Sequence, residues 1–344
     1  MHSVKERFLS FAKDFLGFLL LILFLILFFT IESFKNEQAG FTVPDTWLQV
    51  NTIFLSIVLE AIPFILLGVF VSALIQIYVK ESWMQRFLPQ NAYAALLPAA
   101  ILGTIFPICE CAIVPIVRRL IKKGMPLHVG VVFLVAAPIL NPVVAASTFF
   151  AFRTDLTVLY ARMGLAFILS IIIGAILYIV FKNKHHLKRT KHDLTHEHVE
   201  VIGNSHGSVT RWKQTFYHAA DEFFLMGKYL ILGAFVAALF QTFLDRSFLQ
   251  TIGGNEWSST AVMMAFAYLL SLCSEADAFV ASSFSNMFTT GSIVAFLVYG
   301  PMIDLKNTIM LFAFFSARFV IGFILTVTVT VFLAVMALQL GGII

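Results

Sequence analysis

Two short segments, Cys109-Glu110-Cys111 and Cys273-Ser274-Glu275-Ala276-Asp277, set thiols beside carboxylates within stretches apolar enough to lie in a bilayer. Thiolate with carboxylate suits a soft or borderline cation such as zinc, or a thiophilic metalloid, whereas calcium and magnesium take oxygen alone. In an unwound turn Cys109 and Cys111 could close on one ion, with Glu110 as a further ligand or as a proton acceptor. Glu275, Asp277 and Cys273 would complete the shell if the two segments meet. The expected metal ligands are therefore Cys109, Glu110, Cys111 and Glu275. A buried cysteine is also a small hydrophobe, which is the plainer reading of Cys273. Acids at membrane depth are costly and mark substrate or ion pathways, so Glu110 and Glu275 carry more of the functional weight.

The elements that must position these residues are membrane helices. The 344 residues are 60% hydrophobic and only 12% charged, with mean hydropathy +0.91, and a soluble domain carries about twice that charge fraction. Three cysteines in no extracellular framework give no support for disulfides. Apolar segments of the length needed to span occur at 16–31, 51–79, 92–121, 127–152 and 158–181, and again from 216 onward. The first, preceded by Lys5, Arg7 and Lys13 and followed by no small-residue cleavage site, reads as a retained span and not a signal peptide.

Basic residues cluster at the N-terminus, at 80–86, at 118–123 and across 182–213. Placing all four in the cytoplasm satisfies the positive-inside rule. Segment 92–121 must then enter and leave on one side. It reads as a re-entrant hairpin whose Cys-Glu-Cys tip is flanked by Pro107 and Pro115, irregular backbone that protein or water has to satisfy. A single kinked span is the alternative.

The chain also repeats itself. Residues 65–76, Ile-Leu-Leu-Gly-Val-Phe-Val-Ser-Ala-Leu-Ile-Gln, align with 230–241, Leu-Ile-Leu-Gly-Ala-Phe-Val-Ala-Ala-Leu-Phe-Gln, identical at seven of twelve positions. At that offset Glu110 falls on Glu275 and Arg153 on Arg318; with a two-residue shift Pro138 meets Pro301 and Asn141 meets Asp304. The expected fold is an all-α polytopic membrane protein. An inverted internal repeat carries two re-entrant hairpins and proline-broken helices, a recurrent transporter plan. Its parts are an N-terminal span and external loop (1–47), a first repeat (48–181), a cytoplasmic His-rich basic linker (182–215) and a second repeat (216–344). Counted this way there are seven crossings and two hairpins, against nine spans if the hairpins cross.

Pro138-Ile139-Leu140-Asn141-Pro142 and Gly300-Pro301-Met302-Ile303-Asp304 break their spans and free backbone carbonyls. Asn141 and Asp304 stand where they could face a cation or substrate; a plain kink is the alternative. Glu60 is a further intramembrane acid with no evident partner. Arg153 and Arg318 read as span ends that snorkel to the interface. The linker holds His185, His186, His192, His196, His198 and His206 among lysines and arginines. That composition suits weak, labile metal binding, or simply a solvated linker that fixes orientation.

No Gly-rich phosphate cradle, Ser/His/Asp arrangement or His-Glu-x-x-His helix occurs, so no enzyme and no resident cofactor is expected. The juxtamembrane basic residues argue for topology and against nucleic acid. The block 107–115, Lys123-Gly124-Met125-Pro126 and 138–142 together resemble the predicted-permease family of YraQ/YcgR-type proteins and ArsP-like organoarsenical exporters. The likeness runs from about residue 48 to the end. It implies a multi-pass permease of the cytoplasmic membrane, arsenic binding by cysteines at the positions of Cys109 and Cys111, and a small membrane-associated partner protein. Homo-oligomerisation is compatible with the sequence and not fixed by it. The leading expectation is a secondary permease exporting a thiophilic metal ion or metalloid through a site at the two tips. Its competitors are a transmembrane thiol–disulfide carrier, which wants a reactive cysteine in each half, and a membrane subunit that transports nothing.

Overall fold

A computed structural model describes residues 45–78, 92–105, 108–181, 187, 208–243 and 256–342. The candidate span 16–31, the basic residues of 80–86, Pro107 and the linker histidines His185, His186, His192, His196, His198 and His206 lie outside the described residues. The first half carries α1 (Asp45–Tyr78), α2 (Leu96–Ile105), α3 (Glu110–Lys122), α4 (Leu127–Leu140), α5 (Pro142–Ala151) and α6 (Leu156–Phe181). The second carries α7 (Ser208–Phe243), α8 (Glu256–Leu270), α9 (Asp277–Ser282), α10 (Thr290–Met302), α11 (Leu305–Phe314) and α12 (Ala317–Leu340). No strand forms among the described residues; one isolated bridge pairs Leu187 with Phe315.

Among the described residues, six helical segments are long and apolar enough to cross a membrane: 45–78, 127–151, 156–181, 215–243, 290–314 and 317–340. The two broken spans are the innermost. Within their most apolar stretch, 72% of α4–α5 and 83% of α10–α11 is buried, against 33–39% for the other four. Core and exterior are equally apolar here, so burial is set by packing and not by the polarity of one face.

Both breaks are built locally. Pro138 sits near the end of α4, and Asn141 is extended (φ −73°, ψ 153°) before Pro142 opens α5, where a proline lacking its N–H costs nothing. Pro301 likewise precedes extended Ile303 and Asp304 at the α10–α11 joint. Each break residue caps the helix that follows: Val144 N–H donates to Asn141 Oδ1 (2.9 Å) and Asn307 N–H to Asp304 Oδ1 (2.6 Å).

The segments between the long helices are short. α2 and α3 have 10 and 13 residues, about 15 and 20 Å at 1.5 Å per residue, each less than the roughly 30 Å of a hydrocarbon core. α8 packs on α10 as α2 packs on α4, and α9 rests on α5 as α3 touches α11. α4 meets α10 and α6 meets α12 across the two halves, with Phe181 edge-on to Phe319 at 5.5 Å. A hydrophobic core cluster runs through both halves.

The long helices α1 and α7 pack together through Val50, Phe54, Val58, Ala234 and Ala238. Two glycines from the repeated segment then let each approach a site-bearing helix. A Cβ on Gly68 would lie 2.8 Å from Ala112 Cα on α3, and one on Gly233 would lie 3.1 Å from Lys306 Cα on α11. The first contact is with backbone and cannot yield without moving a helix. Gly68→Ala is therefore expected to destabilise the protein by about 1–3 kcal/mol, read as a lower unfolding temperature in detergent. Gly164→Ala, whose added Cβ meets nothing within 4 Å, should leave that temperature unchanged.

Candidate functional site

The irregular turns between α2 and α3 and between α8 and α9 are closed by the same device. Cys109 is extended (φ −73°, ψ 164°), and its carbonyl accepts from Ala112 N–H and Ile113 N–H, both at 3.1 Å. The Cys273 carbonyl accepts from Ala276 N–H and Asp277 N–H, both at 3.0 Å. Each cysteine thus starts the turn that launches its tip helix. Ahead of Cys273, Ser271 has φ 48°, a left-handed conformation uncommon outside glycine and frequent where function holds the backbone in place.

The two tips meet. Cys109, Glu110 and Cys111 from the first half line one cleft with Ser271, Cys273 and Lys306 from the second, and Ile57, Glu60, Ala61 and Phe64 of α1 form its remaining wall. All three cysteines are free thiols. Glu110 is buried, 1% exposed, and faces a cation distant in sequence, Lys306. Lys306 Nζ lies 3.5 Å from Glu110 Oε1, 3.6 Å from Asp304 Oδ2 and 3.4 Å from the Ser271 carbonyl. Its own backbone N–H donates to Ser271 Oγ at 3.4 Å. These contacts are long, so the ammonium is held by charge more than by short directional bonds. Two buried carboxyls thus share one lysine, and Glu110 Oε2 and Asp304 Oδ2 have no hydrogen-bond partner.

The other predicted residues are placed differently. Asp304 caps α11 and backs Lys306, so it supports the cleft from behind. Asn141 is spent on the α4–α5 break, its Nδ2 donating to the Ala137 and Pro138 carbonyls at 3.3 Å, and it does not line the cleft. Glu275 is half-buried and accepts from the Cys273 thiol. Asp277 points to α6, where Arg162 Nη2 donates to its Oδ2 at 2.7 Å and to the Ser274 carbonyl at 3.2 Å, while Nη1 donates to Thr148 Oγ1 at 2.8 Å. Among the described residues no three His, Cys, Asp or Glu side chains converge closely enough to hold an ion.

Arg162, completely buried, was legible as a charge inside an apolar span, the same signal that marked the acids. A second network ties the long helices to the tip. Glu222 of α7 accepts from Ser72 Oγ of α1 (2.8 Å) and from Arg119 Nη2 of α3 (3.2 Å), and Arg118 Nη1 lies 3.8 Å away. Arg118 also stacks on Phe314, 4.5 Å from the ring centroid. Arg118 and Arg119, which in the sequence serve as topology markers, also clamp their end of α3 to α7.

The family model described as "Predicted permease", ArsP_1, matches residues 46–340. The chain belongs to this family. It is 48% identical over 290 residues to UPF0718 protein YcgR of Bacillus subtilis, covering 84% of the chain and 97% of that relative. It is 39% identical over 290 residues to a putative two-component membrane permease complex subunit of Streptococcus mutans, covering 82% and 92%. UPF0718 protein MJ0584 of Methanocaldococcus jannaschii matches at 24% over 157 residues, 45% of the chain and 42% of the relative. No solved structure matches. Family and helices together make the chain a multi-span membrane permease.

The Arg162–Asp277 pair is short and fully enclosed, so removing one partner strands a buried charge. Arg162→Met or Asp277→Asn should each cost about 3–5 kcal/mol, measured as loss of folded protein on heating in detergent. Arg162→Met combined with Asp277→Asn should cost less than the sum of the two single losses.

Proposed function

We propose that this permease is a secondary exporter of a thiophilic cargo, a zinc-like cation or a trivalent arsenical, carried through the cleft between the two tips. The observation that carries this reading is that all three cysteines and Glu110, drawn from both halves of the chain, line one cleft beside Lys306.

In the resting arrangement Lys306 compensates Glu110 and Asp304. A soft cargo entering the cleft is taken by the Cys109 and Cys111 thiolates, with release of the thiol protons, while Cys273 approaches from the opposite wall. Glu110 then turns from Lys306 to the cargo. Lys306 keeps Asp304 as its partner, so no charge is stranded during the exchange. The scattered donors of this state gather only as cargo draws the tips together.

Alternating access would come from the two halves, 48–181 and 216–344, moving as inverted repeats, with 92–121 and 258–290 as re-entrant hairpins. Support comes from the identical element order of the halves and from the short lengths of α2 and α3. With the N-terminus and the 182–215 linker in the cytoplasm of a cell-membrane protein, the linker histidines would meet the cargo on its way in. A second, membrane-associated subunit fits the name of the streptococcal relative, and energy would come from a gradient or from that partner.

Everted membrane vesicles test the reading. Cys109→Ser/Cys111→Ser should lower zinc or arsenite uptake by at least about tenfold, and Glu110→Gln should do the same. Normal uptake by the cysteine variant would remove the thiol site; a Glu110→Gln protein that still exchanges thiols with external disulfides would instead support a thiol carrier.

A further inference from the structure

Glu60 is the one acidic or basic residue of α1 after Asp45, and it lies near the middle of that 34-residue helix. It is exposed, and its neighbours Leu59 (60%) and Phe64 (38%) are exposed as well. An ionised carboxylate facing hydrocarbon at mid-depth costs about 2.5–3.5 kcal/mol on insertion scales. Glu60 does not face hydrocarbon alone. Ile57, Glu60, Ala61 and Phe64 fall at helical spacing on one face of α1, and all four line the thiol cleft. Among the described residues no hydrogen bond or ion pair engages the Glu60 carboxylate, and Lys306, the cation of the cleft, is already shared by Glu110 and Asp304.

Two acids therefore share one lysine, and a third, the exposed and unpartnered Glu60, lines the same cleft. Oriented acids around a low-dielectric opening concentrate cations there. We propose, on the strength of the permease reading above, that Glu60 is the cation-selecting ligand at the mouth of the cleft and that the cargo is a zinc-class metal cation. Arsenous acid, uncharged at neutral pH, would gain nothing from such a residue. A dication held first by Glu60 passes inward to Cys109, Cys111 and Glu110, and the exchange at Lys306 follows.

The test uses the purified full-length chain with its linker histidines replaced, titrated with zinc against a competing chelator and separately with arsenite. Glu60→Gln should weaken zinc binding on the order of tenfold, Glu60→Asp should restore most of it, and arsenite affinity should not change. Unchanged zinc affinity in Glu60→Gln, an equal fall for both ligands, or a wild-type chain that binds arsenite and not zinc would each overturn the assignment. Cys109→Ser/Cys111→Ser separates this from the wider reading: if that variant keeps its binding of both ligands, the thiol site itself falls, whatever Glu60 does.

Discussion

The ammonium of Lys306 is the contact on which the arrangement depends. It sits between Glu110 of the first half and Asp304 of the second, with the Ser271 carbonyl as a third neighbour. Without it two carboxyls would be buried within one apolar core, a situation that costs several kcal/mol per uncompensated charge. The pairing obliges α3 and α11 to meet at their N-terminal ends. It also fixes why Ser271 adopts a left-handed backbone, since that turn brings its carbonyl and hydroxyl to Lys306. The close approach of α7 through Gly233 lands on the backbone of the same residue.

Among the described residues, buried ion pairs join the halves at Glu222, at Asp277 and at Lys306, and geometry separates the roles of the last two. Arg162 reaches Asp277 at 2.7 Å and satisfies two further acceptors, an enclosed and directional fork. Lys306 reaches its two carboxyl partners and the Ser271 carbonyl only at 3.4–3.6 Å. The first arrangement suits a joint and the second a charge that can change partners. The cysteines lie beside the second.

Much of this was legible in the chain. The broken spans were readable because Pro138, Asn141, Pro142 and Pro301, Asp304 leave helical backbone no continuation, and the breaks fall at 141 and at 303–304. The sequence joins Cys109, Glu110 and Cys111 to Cys273, Glu275 and Asp277 as one candidate shell; in the structure Cys273 shares their cleft and the two acids do not line it. What escaped was the cations. Lys306 and Arg162 stand in segments read as spans, and the rule that flagged Glu110 applies to them equally, but their partners are 196 and 115 residues away. Sequence spacing carries no information on such pairings. Asn141 and Asp277 stand out in the sequence by their places at a broken span and in the second thiol segment, which do not show that one caps α5 and the other pairs with Arg162.

The halves share an element order but not an environment, and that difference explains why one cleft forms. α1 lies on α3 and α7 lies on α11, so both long helices cover the Lys306 side. The opposite tip, α9, packs on α5 and α10 and is locked to α6 by Arg162. A Cβ-free Gly68 permits the first covering and Gly233 the second, although the two glycines occupy matching positions of the repeat. On the cleft side Cys109 and Cys111 of the first tip stand beside Glu60 of α1 and the loosely held Lys306, whereas beyond Cys273 the second tip is joined to α6 by the Arg162 fork.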